Sequence, residues 1–123
     1  MRYEDLTHEI IGATYKVYNQ LGFGFLESVY KKAMVVELTK NELAVEEEKP
    51  LKVYYDDCEV GNFYVDLFVE NSVIVELKSV RTLAREHEVQ LVNYLAGLQK
   101  DIGLLVNFGP SRVDVKRKYR TCK

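Results

Sequence analysis

Cysteine is scarce in this chain of 123 residues: Cys58 and Cys122 stand alone, without CxxC spacing or a histidine cluster. That removes the basis for a disulfide framework, a zinc finger or a redox pair and leaves two free thiols. With only 2 prolines and 29% charged residues spread among apolar ones, the chain is neither collagen-like, low-complexity nor disordered. No stretch approaches the ~20 apolar residues that span a bilayer. The start, Met1-Arg2-Tyr3-Glu4-Asp5, carries early acids and lacks the apolar run of a signal peptide, so a cytoplasmic protein with no membrane contact is expected. A dominant charge is missing too: 17 Lys plus Arg against 19 Asp plus Glu gives a net charge of −2. This argues against a general nucleic-acid coat, which gains its affinity by neutralising phosphates. The one dense basic run, Lys116-Arg117-Lys118-Tyr119-Arg120, reads as a solvated strand end ahead of a phosphate-binding strip.

What is present is a core. With 47% apolar residues, a chain of this size buries roughly two thirds of its unfolded surface, enough for two packed layers in one domain spanning 1–123. Leu6, Ile10, Ala13, Val17 and Leu21 recur every three or four positions, which predicts an amphipathic helix from Tyr3 to Leu21. Gly22-Phe23-Gly24 connects it to a second helix, along which Leu26, Val29, Tyr30, Ala33, Val36 and Leu38 repeat the period until Asn41. The period then changes to two. Leu51, Val53 and Tyr55 alternate with polar neighbours ahead of an Asp56-Asp57 turn, and Gly61–Val69 and Val73–Leu77 form a hairpin around Glu70-Asn71-Ser72. A third helix covers Ala84–Leu98, its end marked by Gly97 and Gly103. Ile102–Phe108 has the continuous apolar character of a central strand and Arg112–Lys118 the alternation of an edge strand. The order α-α-β-β-β-α-β-β predicts an α/β fold with a mixed sheet.

The hairpin carries the chemistry. If Val69 faces Val73, then Leu67 faces Val75 and Val65 faces Leu77 on an apolar side, while Phe68 faces Ile74, Asp66 faces Glu76 and Tyr64 faces Lys78 on the other. A one-residue slip destroys this sorting. Opposed residues have Cβ atoms about 5 Å apart, and two carboxylates at that distance repel by roughly 3 kcal/mol at an effective dielectric near 20. A half-buried pair therefore needs a shared proton or a cation, and a hard divalent ion such as Mg2+ suits carboxylate and water oxygens. The competing reading makes Asp66 and Glu76 solvent-facing residues with Lys78 as a surface partner. Phe68 and Ile74 on the same side imply cover, which makes an uncompensated acid pair expensive.

An Asp on one strand followed by Glu76-Leu77-Lys78 on the next resembles the PD-(D/E)XK nuclease superfamily. Gly24-Phe25-Leu26-Glu27-Ser28-Val29-Tyr30 fits the signature of its GxxExxY family. Leu21-Gly22, Ala33, Glu37-Leu38, Gln90, Asn93-Tyr94-Leu95 and Asn107-Phe108-Gly109 look like the same family, so the resemblance covers nearly the whole chain. It implies a restriction-endonuclease-like core. It also implies Asp66, Glu76 and the backbone carbonyl of Leu77 as ligands of Mg2+, with Mn2+ as a substitute. Lys78 would hold and polarise the attacking water, and Glu27 would be a further acidic group, catalytic or metal-binding. Gln90 and Tyr94, one helical turn apart, resemble the QxxxY element of the RecB-like exonuclease branch, which lines the active-site side. His87 shares that helix face, although a lone histidine there is more often a packing residue. Val65 replaces the proline of the superfamily name, Phe23 the proline of a Leu-Gly-Pro-Gly loop, and Tyr18 an expected histidine; none of these removes a proposed ligand.

The implied function is a metal-dependent nuclease hydrolysing phosphodiester bonds in DNA through an activated water. The alternative is a catalytically silent nucleic-acid-binding or protein-interaction scaffold. Either way the chain is too short to hold a separate recognition module, so a homodimer or a partner subunit is expected to help select substrate.

Overall fold

The computed structural model describes residues 2–121, and Cys122 lies outside them. The first helix, α1 (Tyr3–Leu21), buries Leu6, Ile10, Ala13 and Val17 along one stripe, together with Thr7 and Thr14. The Thr14 hydroxyl donates to the Ile10 carbonyl at 3.0 Å, so a polar side chain sits inside the stripe without an unmet hydrogen bond. Gly22 ends the helix at φ +70°, a backbone region open mainly to glycine. The second helix, α2 (Glu27–Lys40), buries Tyr30, Met34 and Leu38, spaced four apart. Leu26, Val29 and Val36, which the sequence places on the same apolar repeat, are exposed. A helix covered on one side hides only a narrow stripe.

Strands β1 (Val45–Tyr55) and β2 (Cys58–Val69) form a long antiparallel hairpin. Asp56 and Asp57 close it with φ of 49° and 63°, the two-residue turn whose twist matches paired strands. β1 starts well before the alternation at Leu51; its first half is charged and mostly exposed and so shows no apolar alternation. There follow β3 (Val73–Lys78), α3 (Arg85–Leu98), β4 (Ile102–Phe108) and β5 (Val113–Tyr119). The sheet order is β1-β2-β3-β4-β5. Only β3 and β4 run parallel, and α3 supplies the crossover that parallel neighbours require.

Two cores flank the sheet, giving three layers rather than two. α1 and α2 pack on Leu67, Val69, Val73, Val75 and Leu77, and α3 packs through Leu91, Tyr94 and Leu95 on Leu51, Val65, Phe68, Ile74 and Leu105. β4 is buried at every residue, as befits a strand covered on both faces. Gly97 and Gly103 are not helix stops. α3 runs through Gly97, and Gln99 closes it in the left-handed region at φ +56°. A Cβ on Gly97 would meet Leu51 Cδ1 at 2.9 Å and one on Gly103 would meet Leu91 Cδ1 at 2.8 Å, so both glycines let α3 lie close on the sheet. No described helix is long and apolar enough to cross a membrane.

The hairpin register holds only near the turn. Val69 pairs with Val73, Phe68 with Ile74 and Leu67 with Val75, and there the ladder between β2 and β3 ends. The expected pairs Asp66/Glu76, Val65/Leu77 and Tyr64/Lys78 do not form, and Val65 packs on the α3 side instead of beside Leu67. The cause lies in β1: Glu47 pairs with Leu67 and Lys49 with Val65, while Glu48 between them takes φ +52°. Pairing is broken opposite Asp66, the strand alternation is reset there, and β2 and β3 part.

Candidate active site

Where β2 and β3 part, two carboxylates replace the missing ladder bonds. Asp66 Oδ2 accepts the Leu77 N–H at 2.8 Å, and Glu76 Oε1 accepts the Asp66 N–H at 3.0 Å. The acids therefore sit side by side between separated strands, each held by backbone. Glu76 is only 5% exposed and Asp66 is half-buried. Burial, then the charge of Asp66, pushes the Glu76 carboxyl up to about 8. Asp66 is raised as well, by burial, against the pull of the Leu77 N–H, a proton shared from Glu76, and the charges of Lys78 and Lys31. Without a cation the pair compensates by holding a proton, the alternative its proximity allows.

Lys78, half-buried at the end of β3, is near enough for its charge to favour ionisation of both acids. Tyr94 comes from the other side. It is 7% exposed on α3, its ring lies 5.8 Å from that of Phe63, and burial followed by the charges of Glu76 and Asp66 raises its hydroxyl above the usual range. It is therefore a neutral donor at physiological pH. Gln90, one turn earlier, lines the same groove of about 850 Å3 between α3 and the β1–β2 hairpin as Tyr94 does.

Glu27 stands apart from the acid pair. It is exposed, and its Oε2 accepts the Ser79 N–H at 3.3 Å while the Ser79 hydroxyl donates to the Phe25 carbonyl at 3.1 Å. Among the described residues no third Asp, Glu, His or Cys joins Asp66 and Glu76 in a metal-sized group. Glu27 thus ties the start of α2 to the residue after Lys78. Tyr30, the last residue of the GxxExxY pattern, is fully buried; its hydroxyl donates to the Gly22 carbonyl and its ring stacks on Phe108 at 4.2 Å. His87 accepts the Ala84 N–H through Nδ1 at 3.1 Å and so caps α3. The basic run is also structural: Lys116 and Lys118 pair with Glu88 at 3.6 and 2.6 Å, and Arg120 with Asp101 at 2.9 Å.

At the site, Lys31 is not singled out by the sequence, and Asn107 enters only within the family-like run Asn107-Phe108-Gly109, without a role. Lys31 pairs with Glu48 and its charge reaches Asp66; its place four residues after Glu27 on one helix face was the available signal. Asn107, fully buried, accepts the Val80 N–H at 2.9 Å and donates to the Val80 carbonyl at 2.8 Å, locking the chain just past Lys78. A single amide within Leu104-Leu105-Val106-Asn107-Phe108 was its signal, since a buried amide must find partners.

Two adjoining carboxylates, one buried and one half-buried, are hard oxygen donors of a kind that fits a divalent ion. No curated protein matches this chain. A solved structure described as "Crystal structure of SSO0001" is 21% identical with a TM-score of 0.63, covering 99% of this chain and 61% of that one, a likeness of fold. This chain thus spans 61% of that protein's length. A family model described as PD-(D/E)XK nuclease superfamily matches residues 4–118, and with an Asp on β2 beside Glu76-Leu77-Lys78 on β3, the chain belongs to the PD-(D/E)XK nuclease superfamily.

Proposed function

We propose that this protein is a metal-dependent deoxyribonuclease of the GxxExxY type, with Gln90 and Tyr94 serving as a QxxxY element. The observation that carries it is the Asp66–Glu76 pair, held side by side by backbone N–H groups where the β2–β3 ladder ends and flanked by the charge of Lys78. Asp66, Glu76 and the Leu77 carbonyl would hold the ion, Mg2+ or Mn2+. Glu27 positions the segment after Lys78 through the Ser79 N–H. When bound, the ion lowers the pKa of an attacking water and offsets charge on the phosphate.

The protein's own groups do the rest. Lys78 orients the water and stabilises negative charge as it builds on the phosphate, acting in a poorly hydrated site where such a contact is strong. Tyr94, neutral, donates a hydrogen bond toward the same region, and Gln90 offers both a donor and an acceptor to substrate. Asn107 holds Val80 and keeps Lys78 in place. The protein acts in the cytoplasm, as a homodimer or with a partner subunit that helps choose the substrate.

The test is cleavage of labelled single-stranded, double-stranded and circular DNA with Mg2+, Mn2+ or EDTA. Cutting that requires metal and falls at least 100-fold in Lys78→Ala is expected, in line with loss of one charge-stabilising group. Absence of cutting with either metal would replace this reading by a silent scaffold.

A further inference from the structure

The groove beside the acid pair has the wrong lining for a sugar-phosphate backbone. Its walls are Leu51, Phe63, Val89 and Tyr94, with the amides of Gln90 and Asn93 along α3. Arg85 is its one cation and Glu86, also lining it, cancels that charge. Phosphates need clustered positive charge, which this groove lacks, whereas apolar walls with amides along one side suit a flat, apolar-faced group with polar edges. Phe63 is 41% exposed although its ring lies 5.8 Å from that of Tyr94. Phe63 thus lines the groove with part of its aromatic surface open to solvent.

From this lining we infer that the groove receives an unpaired nucleobase of a single strand, stacked on Phe63 with its edge hydrogen-bonded by Gln90 and Asn93. The inference rests on the nuclease reading and deepens it. Tyr94 belongs both to the groove and to the surroundings of Glu76 and Asp66, so a base seated there places an adjoining phosphate near the acids. A base in a duplex is stacked and paired and cannot enter, whereas an unpaired one offers its face to any aromatic ring irrespective of sequence. The chain therefore works on single strands or frayed ends.

The experiment measures binding of the full chain in EDTA to three fluorescent probes of one length: a single strand, the same strand with abasic sugars throughout, and a duplex. The single strand is expected to bind about 10-fold or more tightly than the abasic strand, within the range for base–aromatic stacking. Phe63→Ala is expected to abolish that difference and Phe63→Tyr to keep it. Val89→Glu, an exposed helix position on the opposite wall, is a second variant with the same expected loss. Equal binding of the base-bearing and abasic strands overturns the inference, as does a duplex bound as tightly as the single strand. So does a wild-type dimer that Phe63→Ala turns into a monomer, which would make the groove a contact between copies. The two readings fail separately: metal-dependent cutting without base-dependent binding keeps the nuclease and sinks the groove, and the reverse pattern does the opposite.

Discussion

Glu76 is the residue whose energetics define the site. An ordinary glutamate in the unfolded chain titrates near 4.5, and in the fold Glu76 is pushed up to about 8, first by burial and then by Asp66. Between those values the folded state holds a proton that the unfolded chain has released, so stability falls as pH rises from about 4.5 to about 8. Glu76→Gln cannot ionise, and its amide can both accept the Asp66 N–H and donate to the Asp66 carboxylate. In EDTA this variant is predicted to melt above wild type at pH 8, by about 3–5 °C for each kcal/mol regained, and to converge with it near pH 4.5. Saturating Mn2+ closes the gap by stabilising only the wild-type pair. Calorimetry at several pH values reads both effects, and a gap independent of pH would refute the burial argument. Asp66 and Glu76 were legible as neighbours because the hairpin register brings their strands together up to Leu67 and Val75, although the pairing expected at the two acids themselves does not form. Their backbone hydrogen bonds were not legible, because they arise from the irregularity at Glu48, one of a charged run with no pattern to read.

Among the elements, strongly periodic segments were legible and close approaches were not. α1 was predicted with its observed bounds because one stripe of four buried apolar residues and a terminal glycine leave little freedom. In α2 the apolar residues are scattered around the axis, and only Tyr30, Met34 and Leu38 are fully buried, which periodicity cannot select. Gly97 and Gly103 read locally as breakers, whereas their role depends on α3 meeting β1 and β4. This distinction is testable by a contrasting pair. Gly103→Ala puts a methyl 2.8 Å from Leu91 Cδ1 and 3.2 Å from the Ile74 carbonyl oxygen, and is expected to destabilise by about 1–3 kcal/mol through overpacking. Gly12→Ala in α1 has nothing within 4 Å of the new Cβ and is expected to stabilise by about 0.5–1 kcal/mol through helix propensity. Urea unfolding separates the two, and equal effects would contradict the packing account.

At the scale of the molecule, the sheet divides into a rigid centre and a projecting ribbon. β3 and β4 are covered on both faces and carry Glu76 and Asn107, with Asp66 on the buried end of β2 beside them, while β1 and β2 between Lys52 and Tyr64 are largely exposed on both. Amides of the ribbon are predicted to exchange with solvent deuterium well before those of β3 and β4, since local opening follows sparse burial; equal protection would show that the ribbon is held by contacts beyond this chain. The parallel centre and its crossover helix were legible from the order of elements, whereas of the second core under α3 only the cover over Phe68 and Ile74 was legible, because Leu51, Val65 and Tyr94 meet only in the folded chain. All of this architecture converges on two carboxylates and the claim that they hold a divalent ion. The most direct test is calorimetric titration of Mn2+ into wild type and Asp66→Ala at pH 7.5: one site in wild type that is lost in the variant is predicted, and equal binding by both, or binding by neither, would contradict the account.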